Sequence, residues 1–79
     1  MITVVLLGKL ADLAGVPTLS LQAPLGWAGL KAALPEALAA ALDDPRNRVA
    51  LNGALLADKT LLQAGAGDEI ALLPPVSGG

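Results

Sequence analysis

Cysteine and histidine are both missing from this 79-residue chain. Without them no disulfide, thiolate nucleophile, imidazole base or Cys/His metal site can be assembled. Phenylalanine and tyrosine are missing too, which leaves Trp27 as the one aromatic residue, and five basic side chains against seven acidic ones give a net charge of −2. A nucleic-acid binder needs a basic field and usually stacking rings. With neither present, that class is set aside. The uncharged stretch from Leu13 up to Lys31 is broken by Gly15, Pro17, Pro24, Gly26 and Gly29, so it cannot form a membrane-spanning helix. Met1-Ile2-Thr3 offers no basic segment of the kind that opens a signal peptide. The expected compartment is the cytoplasm, and no membrane is expected among the partners.

What the chain does have is apolar surface. Hydrophobic residues make up 54% and charged ones 15%, which excludes a disordered polymer and implies a single small domain whose surface is apolar enough to meet a partner. Ile2 to Leu7 is aliphatic on both faces apart from Thr3, the pattern of a strand covered on both sides. Gly8 ends it. Lys9 to Ala14 sets Leu10 and Leu13 at the spacing of one helical turn, Gly15-Val16-Pro17 turns the chain, and Thr18 to Gln22 alternates as a half-solvated edge strand.

Leu25 to Leu42 reads as the helical region, with Trp27, Leu30, Leu34, Leu38 and Leu42 at helical spacing. Pro35 inside that run would cost about 3 kcal/mol in a continuous helix. A kink or two short helices is therefore expected, the second opening at Pro35 with Glu36 near its positive end. Trp27 reads as an anchor of the core or its rim. The run Asp43 to Arg48 reads as a charged, solvated loop in which Arg46 or Arg48 could also make a docking contact. Asn52-Gly53 between Val49–Leu51 and Ala54–Leu56 is a hairpin signal, because both turn positions need positive φ. Leu61 and Leu62 are expected to plug one end of the sheet before Gly65 and Gly67 turn the chain into a last apolar strand, Ile70 to Leu73.

No set of side chains reads as an autonomous active site. Asp43-Asp44 and Asp68-Glu69 are adjacent carboxylates that point apart in a strand or loop and suit turns better than acid/base work. Gly65-Ala66-Gly67 lacks the lysine and helix of a phosphate-cradling loop. The remaining chemistry lies at the end of the chain. Pro74-Pro75 terminates the last strand, since proline cannot donate to a ladder, and Val76-Ser77-Gly78-Gly79 follows. The division expected is a domain over 1–73 and an extended tail over 74–79. Six residues from Pro74 outward span about 20 Å when extended. Glycines at the tip let the backbone thread a narrow channel, and the Gly79 carboxylate is the functional group presented.

LLPPVSGG, preceded by GDEIA, resembles the end of the small subunit of molybdopterin synthase, a sulfur carrier of the ubiquitin-like superfamily. The opening MITVVLLGKLADLAG and the later Leu51-Asn52-Gly53 are similar to that family as well. The resemblance implies a ubiquitin-like β-grasp, an α+β fold with a mixed sheet of about five strands, a split or kinked helix on one face, and a flexible C-terminal tail. It also implies that the first and last strands are parallel neighbours at the centre of the sheet. For function, it implies that a ubiquitin-activating-type enzyme uses ATP to adenylate the Gly79 carboxylate and that a sulfur donor converts the adenylate to a thiocarboxylate. The tail Pro74, Pro75, Val76, Ser77, Gly78 would then enter the large synthase subunit, in an assembly of two of each chain. There the sulfur would pass to cyclic pyranopterin monophosphate. No cofactor is expected on the chain beyond the thiocarboxylate. Related carriers for thiazole or tRNA thiolation, a protein modifier and a plain interaction module remain alternatives.

Strand parity divides the two strands expected at the sheet's centre. Ile2, Val4, Leu6, Ile70 and Leu72 should pack under the helix, while Thr3, Val5, Leu7, Ala71 and Leu73 lie on the other face with Leu55 nearby. Leu7, Leu55 and Leu73 are the expected partner interface.

Overall fold

The computed structural model describes residues 1–75, so Val76, Ser77, Gly78 and Gly79 of the expected site lie outside the described residues. Strands β1 (Ile2–Leu6), β2 (Thr18–Leu21), β4 (Arg48–Leu51), β5 (Ala54–Leu55) and β7 (Glu69–Leu73) form a five-stranded mixed sheet in the order β2-β1-β7-β4-β5. β1 and β7 run parallel at its centre, with Thr3 opposite Glu69 and Leu6 opposite Leu72. Every other pairing in this sheet is antiparallel. A parallel central pair needs both faces covered or partnered, which is why these two strands are the most continuously aliphatic in the chain. This is the β-grasp, an α+β fold.

Helix α1 (Lys9–Ala14) follows β1, and helices α2 (Trp27–Ala33) and α3 (Glu36–Leu42) occupy the long apolar segment. The break between α2 and α3 falls at Leu34-Pro35. Leu34 is extended at φ −97°, ψ 156°, the conformation that the ring of a following proline imposes on its neighbour. Pro35 caps α3 from outside the helix at φ −53°, ψ 147°, one position earlier than the sequence reading put it. Leu30, Leu38 and Leu42 from these helices meet Ile2, Val4, Val49, Ile70 and Leu72 from the sheet in a core where each is fully buried. Each such burial contributes about 1.5–3 kcal/mol, the largest favourable term available to a domain of this size.

Three details differ from the sequence reading. Leu25 and Gly26 are not helical. They form β3, paired antiparallel with β6 (Gln63–Ala64) in a separate two-stranded sheet. Leu62 is buried, but Leu61 is 74% exposed. The two lie on either side of the end of a 3-10 turn over Lys59–Leu61, so only one of them can face the core. Arg48 belongs to β4 rather than the charged loop, because its backbone pairs with Leu73.

The turn at Asn52-Gly53 adopts φ of 51° and 83°, as its two-residue hairpin requires. It is also tied to β7. Asn52 Nδ2 donates to Asp68 Oδ1 at 3.1 Å, and the Glu69 N–H donates to Asn52 Oδ1 at 2.9 Å. Asp68 Oδ2 in turn accepts from the Gly65 N–H at 2.7 Å. Asn52→Ala would leave a β-carbon at positive φ and remove both side-chain bonds, so a loss of about 1–3 kcal/mol is expected in urea unfolding. An unchanged midpoint would show the link to be dispensable.

Candidate functional site

Chain pairing lines up the outer face of the sheet in rows. Toward the start of β7, Ser20, Thr3 and Glu69 stand side by side, a polar row. The next row runs Thr18, Val5, Ala71, Ala50, Leu55 and is apolar beyond its first member. At the end where the chain leaves the sheet, Leu73 sits opposite Arg48, and the Leu7 N–H reaches the Leu72 carbonyl at 3.2 Å. The polar row at the start of β7 thus gives way to apolar residues toward the root of the tail, where Arg48 stands beside them. Leu7 is 44% and Leu55 54% exposed, while Val5, Ala71 and Leu73 are half-buried. An apolar strip of this kind usually marks a contact surface.

Leu55, Leu73, Pro74 and Pro75 line an open groove of about 610 Å³ together with Pro45, Arg46 and Arg48. β7 ends at Leu73, and Pro74 and Pro75 carry the chain outward with Pro75 exposed. Sequence reasoning pointed to Leu7, Leu55, Leu73, Pro74 and Pro75, and the fold brings these to one end of the sheet. Arg48 also stands at the tail root. The sequence reading named it, with Arg46, as a candidate docking contact of the charged run, and both line the groove.

The charged residues behave mainly as structural ties. Arg46 Nη2 meets Asp44 Oδ2 at 2.9 Å, and its backbone and side-chain hydrogen bonds hold the Asp44 carboxyl at about 2 instead of 3.8. Asp58 is lowered by hydrogen bonds from Thr60, and Asp68 by the Gly65 N–H and then by Asn52. Lys59 donates to the Asp44 and Asn47 carbonyls at 2.7 Å each, and burial lowers its pKa. Trp27 is half-buried against the core, with the Lys31 and Lys59 ammonium groups 5.6 and 5.8 Å from its ring centre. It is a rim anchor held by cation–π contacts.

These shifts predict an acid limit. For Asp44, Asp58 and Asp68 the folded pKa lies below the unfolded one, so their stabilisation is complete above about pH 4 and is lost as pH falls through the folded values. The melting temperature should fall between about pH 4 and pH 2, and Asp68→Asn should flatten part of that fall. A melting temperature flat across this window would contradict the assignment. Among the described residues, no group of three or more Asp or Glu side chains is placed to hold a metal ion, and no helix is long and apolar enough to cross a membrane.

Residues 4–79 match the ThiS family. The chain belongs to that family of ubiquitin-like sulfur carriers. The match runs from β1 through the Gly-Gly end and so takes in both the sheet and the tail. Among solved structures, SAMP1 from Haloferax volcanii is similar at 29% identity and a TM-score of 0.67, over 99% of this chain and 98% of that one. The small archaeal modifier protein 1 of Methanosarcina acetivorans shares the fold at 24% identity and a TM-score of 0.70, over 99% and 95% of the two chains. No curated protein matches the chain. As in other ThiS-family carriers, the expected interaction is with a ubiquitin-activating-type enzyme.

Proposed function

We propose that the chain carries sulfur on its C-terminal carboxyl. The observation that supports this best is the family match extending through residue 79, on a fold whose apolar outer face and last strand converge on the root of the tail. A carboxylate is a poor electrophile. Attack of a Gly79 oxygen on the α-phosphorus of ATP, with pyrophosphate leaving, gives an acyl-adenylate. Hydrosulfide released by a sulfur donor then attacks the acyl carbon and displaces AMP, leaving a thiocarboxylate and a proton. With no cysteine in the chain, the sulfur comes from an external donor. The outer face, through Leu7, Leu55 and Leu73, docks the domain, and Pro74 to Gly78 deliver the end. Prolines narrow the unbound ensemble and so reduce the entropy lost on insertion.

The likeness to SAMP1 over nearly the whole of both chains favours a second use of the same adenylate. A lysine amine could replace the sulfur nucleophile, so that AMP leaves and Gly79 is joined to another protein by an isopeptide bond. The narrower reading, a molybdopterin synthase small subunit delivering to cyclic pyranopterin monophosphate, rests on the LLPPVSGG spacer. The SAMP1 likeness supports the wider class of related carriers and modifiers better than that one pathway.

Intact-mass analysis of the protein from its native cell, with a peptide map of its conjugates, separates these readings. One oxygen-for-sulfur exchange at the C-terminus supports the carrier, and Gly79 linked to lysines of other proteins supports the modifier. A terminus found only as free carboxylate, during growth that demands sulfur transfer, would sink both. For the molybdopterin reading, gel filtration with the large synthase subunit should give a stable complex even with uncharged carrier. Separate elution counts against it.

A further inference from the structure

Gly8 joins β1 to α1 with φ 54° and ψ −130°. This is the first central position of a type II′ turn, which belongs to glycine. The Leu10 N–H closes the turn on the Leu7 carbonyl at 3.1 Å. The same residue is short of space from a distant part of the chain. A β-carbon built on Gly8 would stand 3.1 Å from Cγ of Pro74, tighter than ordinary van der Waals contact. The Gly8 backbone thus lies against the ring of the first residue after β7, on the β1 side, while the β4 side of that root carries Arg48.

We infer that Gly8 is a positioning residue for the tail: its bare α-carbon is the surface on which Pro74 rests, and this contact sets the direction in which the chain leaves the sheet. The inference rests on the carrier reading, since a direction matters only if the end of the tail must reach a partner's active site. Five residues follow Pro74, about 16 Å of extended chain. A displacement of a few tenths of an ångström at the Pro74-Pro75 root changes the point and direction from which the rest of the tail must reach, and errors of about 1 Å at a reacting centre cost roughly 100-fold in rate. A Cβ at Gly8 imposes such a displacement unless the proline ring gives way.

Gly8→Ala also strains the turn, so loss of activity in that variant alone would not separate aiming from folding. Pro74→Ala makes the separation, because it deletes the Cγ that an added Cβ would meet and leaves the turn strain untouched. The measurement is steady-state adenylation of wild type, Gly8→Ala, Pro74→Ala and the double variant by the ubiquitin-activating-type enzyme of the same cell with Mg-ATP. Pyrophosphate release gives the rate, and thermal melting is recorded beside it. We expect Gly8→Ala to lower kcat about tenfold with KM within about twofold, because docking by the sheet face is unaffected. The double variant should recover to the level of Pro74→Ala alone, about threefold below wild type. Its melting temperature should stay as low as that of Gly8→Ala. Recovery of kcat without recovery of stability is the signature of aiming. A double variant no faster than Gly8→Ala, a wild-type kcat in Gly8→Ala, or an effect on KM alone would overturn the inference. Wild-type protein that is never adenylated would remove the carrier reading itself, and the positioning role with it.

Discussion

Removing Gly79 should abolish sulfur transfer and leave the domain folded. The deletion shortens the tail by about 3.3 Å, several times the misplacement that costs roughly 100-fold at a reacting centre. The core is expected not to sense the change, because β7 ends at Leu73 and, among the described residues, every buried one precedes it. A C-terminal extension should be as damaging for a different reason. It turns the terminal carboxylate into an amide, which cannot attack ATP. Both variants should melt like wild type and still bind the activating enzyme, while adenylate formation drops by about two orders of magnitude or more. Gly78→Ala keeps length and carboxylate and adds one β-carbon where the channel is expected to be narrow, so an intermediate loss is expected. The carrier proposal would be falsified by a Gly79 deletion that is adenylated and thiocarboxylated at the wild-type rate.

Leu73→Asp should separate docking from folding. Leu73 lies on the outer face at the end of β7, half-buried beside the exposed Leu55 and opposite Arg48. An aspartate there would be solvated in the free domain. The cost to the fold is then confined to strand propensity, within about 1 kcal/mol. In a complex the same carboxylate would be pressed unpaired into an apolar contact, and truncating or burying charge at such an anchor costs about 2 kcal/mol or more, roughly 30-fold in Kd. Leu55→Asp should act in the same direction. Leu61→Asp is the control, since Leu61 is more exposed than either but belongs to the 3-10 turn rather than to the outer face. Calorimetric titration into the activating enzyme should give weakened binding for the first two and unchanged binding for the third. Equal weakening by all three would show that the docking surface has been drawn wrongly.

Much of this architecture could be read from residue order because the decisive signals were local. Alternation in ITVVL and EIALL assigned the faces of the two central strands, Pro35 forced the split between α2 and α3, and Asn52-Gly53 specified its own turn. The misreadings arose where two residues carried a whole element. Leu25 is an apolar residue directly before the helical stripe that begins at Trp27, and nothing in a two-residue strand such as Leu25–Gly26 or Gln63–Ala64 displays a period. The order of exposure between Leu61 and Leu62 depends on the phase of a single 3-10 turn. At the site, the tail was read from the resemblance of LLPPVSGG, and Val76 to Gly79 lie outside the described residues. The approach of Gly8 to Pro74 was not legible, because it joins positions far apart in sequence and neither has a chemical group to attract notice.

The parallel pairing of β1 with β7 also bears on how the chain is made. Among the described strands the first in chain order is hydrogen-bonded to the last, Thr3 opposite Glu69, so a pairing of long sequence separation is also the one at the centre. Such contacts close late and slow folding relative to helical domains. A nascent or prematurely terminated chain lacking β7 leaves open edges on both β1 and β4 and the aliphatic face beneath α2 and α3 unfilled. Fragments of that kind aggregate or are degraded. The stability of the domain therefore depends on β7, the strand that ends where Pro74 and Pro75 begin.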